Sequence, residues 1–228
     1  AGESQWIRKM IDFYHDKAES NQVKIVNSCG FDSIPSDMGV YFIYKDILKK
    51  DLQISMRVTG AKGGYSGGTY ASINNIISEA SKNKEIRKDL INPSGLNPEG
   101  EKNGPDNRDL SSVIFDKKIK KWIAPFLMAG INTKIVRRSN ALSNYKYGKN
   151  FRYDEAVMTG DGFMGRIRGI LFSIPLIFLT AKPGSIMKSI FNILSPNPGQ
   201  GPNKKEREAG YFSICLLYTS PSPRDDAT

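Results

Sequence analysis

The sequence predicts an α/β fold built on a mixed sheet. Two patterns carry that expectation. Short β-branched or alternating runs recur near residues 24–29, 52–59, 113–116 and 150–158. Between them lie longer stretches whose apolar residues fall at helical spacing. Strands alternating with helices bury a sheet between helical layers.

Each element has a local reason. Residues 3–19 read as a helix, with Trp6, Ile7, Met10, Ile11, Phe13 and Tyr14 at helical spacing and Arg8, Lys9 and Asp12 between them. Residues 24–29 carry Ile25-Val26 and suit a strand. Gly30 is expected to turn the chain. Ser33 then serves as a helix N-cap, Pro35 fits the first turn, and Asp37 sits near the positive helix end. Apolar residues from Met38 to Leu48 supply one broad face. In 52–59, Leu52, Ile54, Met56 and Val58 alternate with polar neighbours, as in a strand with one buried face.

A glycine-rich loop at 60–68 leads into a helix at 69–82. Residues 91–111, rich in Asn, Pro, Gly and charge, read as a long surface loop, either mobile or covering a pocket. A short strand follows at 113–116, then a basic stretch at 117–122. A helix is expected over 125–142, with Pro125 at its start. A strand runs out of 145–153 toward Met158. Residues 195–202 are turn-rich, 204–209 form a short charged helix, and 210–214 form a last strand.

The chain has 228 residues, 39% of them hydrophobic, enough for one large or two small domains. Thirty-three basic against 23 acidic residues give a net charge of +10, suited to an anionic partner or simply to a solvated basic surface. No Lys/Arg tract or aromatic interleaving favours nucleic acid, which is not expected as a partner. The two cysteines, Cys29 and Cys215, give no disulfide framework or Cys-rich metal site, and they suit a reducing, cytoplasmic setting. The single histidine, His15, lies in a polar helical stretch and reads as a surface residue.

Three stretches carry candidate chemistry. Cys29, Gly30, Phe31, Asp32 and Ser33 form the loop between a strand and a helix, where α/β proteins bind ligands; an ordinary βα connection reads the same way. Ser66, Gly67, Gly68 and Thr69 sit at a helix N-terminus whose free N–H groups suit a carboxylate, phosphate or carbonyl; a flexible turn fits as well. Arg137 and Arg138 could bind a phosphate or serve the end of their own helix. No metal site is expected.

The apolar segment 167–194 stands apart. It is interrupted by Pro175 and flanked by Arg166, Arg168, Lys182 and Lys188. Its apolar run, 169–181, is shorter than the ~20 residues a bilayer-spanning helix needs. An interfacial or re-entrant segment and a buried core or subunit-contact helix both fit.

The run Cys29-Gly30-Phe31-Asp32-Ser33-Ile34-Pro35-Ser36-Asp37 resembles the CGFDS-x-PSD signature of saccharopine dehydrogenase-like oxidoreductases, in particular the trans-acting enoyl reductase branch. The resemblance continues through Gly2–Arg8, Ser66–Thr69, Pro125–Ala129, Asn132-Thr133, Val136–Leu142, Tyr147-Gly148 and Phe151–Tyr153, over roughly residues 2–214. It implies a Rossmann-type oxidoreductase whose mixed-sheet substrate domain is this chain. No GxGxxG loop is present, so the N-terminal dinucleotide-binding half is expected to be missing and this piece to be inactive alone.

The implied organisation is a helical remnant of the dinucleotide domain at 1–23, the substrate domain at 24–165, the hydrophobic segment at 166–195, and a linker with the last strand at 196–214. Residues 215–228 resemble translated sequencing-adapter read-through and are set aside as non-native. The implied activity is NADP- or NAD-dependent reduction of an enoyl-acyl substrate. Asp32 and the amides after Gly30 would lie beside the cofactor, residues 66–69 beside substrate or cofactor phosphate, and Tyr70 or Tyr153 would donate the proton. The partners allowed are an acyl or other small-molecule substrate, a second copy in a homodimer, and a membrane surface reached peripherally through 167–194. The alternative is a non-catalytic, lipid-surface protein on a dehydrogenase-like fold.

Overall fold

A computed structural model describes residues 2–179 apart from 32, 49, 65 and 107, together with 185, 186, 189, 197 and 199–219. In chain order the elements are α1 (Ser4–Ser20), α2 (Ile34–Ile47), β1 (Gln53–Lys62), α3 (Gly67–Lys82), α4 (Lys84–Ile91), β2 (Ile114–Asp116), β3 (Lys121–Pro125), α5 (Ala129–Leu142), β4 (Arg152–Gly160), α6 (Gly162–Leu179), α7 (Lys204–Glu208) and β5 (Tyr211–Thr219). The sheet is mixed, in the order β2-β3-β4-β1-β5. Its central pair, β1 and β4, is parallel, and every other pairing is antiparallel.

The parallel register places Ile54 opposite Tyr153, Met56 opposite Glu155 and Val58 opposite Val157. These residues share one face, because side chains alternate along a strand. On that face Ile54, Met56, Val58 and Tyr153 pack with Val40 of α2 and Val136 of α5, and Tyr147 and Phe151 complete the core. A second, smaller core joins Ile7 of α1, Leu96 and Ile131 of α5. The opposite parity of the sheet is polar. Arg57, only 4% exposed, pairs with Asp154 at 2.5 Å and Asp116 at 3.0 Å.

Three expectations are corrected. Residues 24–29 form no strand: no described strand pairs with them, and Ile25 and Val26 stand exposed. A β-branched run is a strand only where a neighbour completes its ladder. The left-handed turn residue there is Ser28, at φ 57°, rather than Gly30. Pro125 closes β3 instead of opening a helix, since Ile123, Ala124 and Pro125 pair with Met158, Val157 and Ala156. The basic stretch at 117–122 is therefore the turn of a hairpin and the start of β3.

The loop after α4 is anchored rather than mobile. Ser94, Leu96 and Asn97 are buried. Its carbonyls accept from Arg8 at Asn97, from Arg137 at Pro93 and from Arg138 at Leu96. Finally, residues set aside as tail belong to the sheet: Cys215 to Thr219 continue β5, with Cys215 opposite Arg57 and Thr219 opposite Gln53. Residues 220–228 lie outside the described set.

Candidate active site

The loop that opens α2 is a partition between two clefts. Ser28, Cys29, Ser33 and Ile34 line one side of it, in a cleft of about 820 Å³ walled by Trp6, Ile11 and Tyr14 of α1 and by Ile135, Arg138 and Leu142 of α5. Phe31 lines the other side, in a cleft of about 930 Å³. That second cleft lies at the C-terminal ends of the parallel strands: Val58 to Lys62 of β1 and Val157 and Met158 of β4 contribute to it. Parallel strands of α/β proteins bind ligands at this end, because successive loops diverge there. Phe126, Met128, Phe172 and Phe212 make its walls apolar, and Lys62 and Arg207 put positive charge among its lining residues.

A buried hydrogen-bonded chain anchors the partition. Ser33 precedes α2, but its hydroxyl makes no cap bond to that helix. It donates instead to Asn132 Oδ1 at 2.8 Å. That contact orients the amide so that Asn132 Nδ2 donates to Glu155 Oε2 at 3.1 Å. Tyr153 Oη donates to Glu155 Oε1 at 2.8 Å. Asn132 and Glu155 are almost wholly enclosed.

Burial pushes the Glu155 carboxyl up to about 7, against hydrogen bonds from Ser36, Tyr153 and Asn132 that favour its charged form. The nearby negative charge of Asp109 raises it further. Burial and the same carboxyl hold the Tyr153 phenol well above its ordinary value. Asp37, one turn along α2, is also raised by burial, opposed by a bond from Ser139. Its Oδ1 is buried with no partner.

The expected site residues separate on this frame. Cys29, Phe31 and Ser33 flank the clefts, whereas Asp32 lies outside the described residues. Tyr153 is in the core and lines neither cleft, so it is badly placed to meet a substrate. Tyr70 is half-buried on α3 and also lines neither.

Ser66, Gly67, Gly68 and Thr69 stand just beyond the Gly63–Gly64 rim of the second cleft. Their donors are partly used: Gly67 N donates to Gln200 O at 2.8 Å, and Thr69 N to Ser66. Arg137 is committed to Asp106 at 2.6 Å and to the carbonyls of Pro93 and Tyr153. Arg138 gives one donor to Leu96 O and reaches the first cleft. Among the described residues no cluster of His, Cys, Asp or Glu could hold a metal ion.

A dinucleotide's phosphates need a cradle of free backbone amides or free arginines. Arg137 is spent within the fold and the α3 start is partly capped, whereas Arg138 lines the first cleft with only one donor given to a carbonyl.

Glu155 is the residue whose importance the motifs did not indicate, and Asn132 lay within the resemblance without a role assigned to it. Glu155 had a signal in strand parity, being an acid between Tyr153 and Val157 on the face that must be buried.

This geometry has sequence relatives. The chain is 35% identical, over 96% of its length, to a Mycobacterium tuberculosis protein named as a candidate trans-acting enoyl reductase. It is 30% identical, over the same share, to proteins named trans-acting enoyl reductase from Mycobacterium ulcerans and Mycobacterium tuberculosis. The chain is similar to trans-acting enoyl reductases. It spans 56% of the length of each of these relatives. No protein-family model and no solved structure matches it.

Proposed function

We propose that this chain is the substrate-binding portion of an enoyl-reducing oxidoreductase of the saccharopine dehydrogenase-like kind. The carrying observation is the apolar cleft at the C-terminal ends of β1 and β4, faced by Phe31 of the signature loop. Such a cleft suits the hydrocarbon part of an enoyl-acyl substrate, which gains by leaving water. The names of the relatives support the reaction class.

Reduction of a conjugated C=C bond takes a hydride and a proton. NADPH or NADH is the reductant we assign. Tyr153 is not the proton donor we assign, because its hydroxyl is enclosed and donates to Glu155.

The test uses the complete natural protein that carries this sequence, with NADPH and NADH consumption followed against enoyl thioesters of increasing chain length. The expected result is turnover whose KM falls as the acyl chain lengthens. Phe31→Ala should raise KM for long chains on the order of tenfold, the loss of one aromatic contact in an apolar cleft, and leave short-chain turnover nearly unchanged. Absence of NAD(P)H consumption with every chain length would overturn the reading.

A further inference from the structure

Helix α6 is built the wrong way round for a helix lying on a sheet. The side that meets the sheet is made of its smallest residues. A Cβ on Gly169 would stand 2.8 Å from Val113 Cγ1 and 3.1 Å from Thr159 Oγ1, and one on Gly165 would collide with the backbone of Gly160. Thr159 Oγ1 seals the contact by donating to Gly165 O at 2.9 Å. The large apolar residues point away. Phe163 is 74% exposed, Leu171 59%, Met164 56%, Ile177 55%, Ile170 49% and Ile174 40%; Phe172, also exposed, stands apart in the wall of the second cleft.

At about 100° per residue, the six side chains other than Phe172 cover an arc of roughly 140°. Arg166 and Arg168 fall about 20° and about 40° beyond its two edges, one on each side. Both are exposed. The helix has no acidic residue, and the acid just before it, Asp161, is paired with Lys121 at 2.5 Å. No helix among the described residues is long and apolar enough to cross a membrane.

We propose that this face of α6 lies in the surface of an anionic lipid bilayer, parallel to its plane. The apolar arc enters the acyl boundary, and Arg166 and Arg168 lie at headgroup level on either flank. Charge selects this occupant. A second copy of the chain would bring its own arginines to the same edges, and the chain's net charge of +10 opposes such pairing. An anionic surface meets both arginines and the apolar arc at once. This inference stands independently of the catalytic reading.

The experiment is co-sedimentation of the chain with vesicles of phosphatidylcholine alone and with about 30% phosphatidylglycerol, across salt from about 0.05 to 0.5 M. Tighter binding to the anionic vesicles, weakened by salt, is expected. Ile170→Asp with Ile174→Asp should lower the affinity on the order of tenfold or more. Arg168→Gln should lower it about fivefold on anionic vesicles and leave binding to neutral vesicles unchanged. Arg166 is left intact, because its guanidinium lies 5.5 Å from the centre of the Trp122 ring and supports packing. The milder Ile174→Ser, checked by circular dichroism, separates a surface effect from misfolding.

Failure to bind anionic vesicles, or equal binding by the double variant, overturns the proposal. So does a chain that self-associates without lipid and becomes monomeric in the double variant, which would assign the face to a second copy.

Discussion

Neutralising Glu155 should remove one identifiable part of the pH dependence of the native chain's stability. The carboxyl sits near 7 in the fold and at its ordinary 4.5 when unfolded. Between those values the folded state binds the proton and the unfolded state does not. The contribution of this group to stability is therefore fully present below about pH 4.5 and is lost as pH rises through about 7, the reverse of the behaviour of a salt-bridged acid. From about pH 5 to about pH 8 the loss attributable to this one group is on the order of 2–3 kcal/mol.

Glu155→Gln keeps the shape and imitates the protonated acid. Its oxygen can accept from Asn132, and its amide can face the Tyr153 hydroxyl, which turns to accept. The assay is urea unfolding of both proteins at several pH values between about 5 and 8. The variant should gain on the order of 2–3 kcal/mol on the native chain across that range, with equal slopes on urea. Parallel stability curves would refute the reasoning, because they would mean that Glu155 is ionised and well solvated by its donors throughout. Asp37 and Asp106, both raised by burial, act in the same direction, but they are present in both proteins and cancel in the difference.

Two further outcomes follow from the buried polar contacts. Arg137→Met strands the Asp106 carboxylate, whose side chain is 8% exposed, and should cost about 3–5 kcal/mol, read as a fall in Tm with new protease cleavage in the loop after α4. Ser33→Ala removes the hydroxyl that donates to Asn132 Oδ1 in a fully buried side chain and should cost about 1–3 kcal/mol, read by urea unfolding, with hydrogen exchange rising in the first turn of α2.

What the sequence made legible were the elements whose order is local. The alternation of Leu52, Ile54, Met56 and Val58 identifies β1, and all four are buried. The apolar run after Asp37 identifies α2, and the Ser66 cap identifies α3. The failures lie where local signals met a decision made elsewhere in the fold. Ile25-Val26 has strand chemistry but no partner among the described strands. Pro125 has helix-start chemistry, yet the residues before it complete a ladder with β4, and the helix begins only at Ala129. Helix α4 has only eight residues, and its short apolar face, Ile86 and Leu90, is half-buried rather than buried, too little to stand out in the sequence. The site shows the same limit. A pair of arginines resembles a phosphate site until Asp106 and three backbone carbonyls are found to occupy them.

The signature run makes physical sense once its serines are placed. A serine before a helix ordinarily spends its hydroxyl on the helix's own amides. Here Ser33 turns it inward, and Pro35, which has no amide hydrogen, occupies a first-turn position where one donor fewer needs satisfying. The capping energy forgone is replaced by a bond to a buried amide on α5, which is itself fixed to β4 through Glu155. The loop is thereby tied to two elements distant in sequence and to neither cleft. That leaves Cys29 and Phe31, its outward residues, free to face the two clefts on a support that does not move with what binds there. A partition of this kind must be rigid to be selective, since a binding surface is only as well placed as the shell that holds it. The unusual position of a charged residue in the core is then the consequence of building that shell from polar side chains, and its cost appears as the pH dependence of stability.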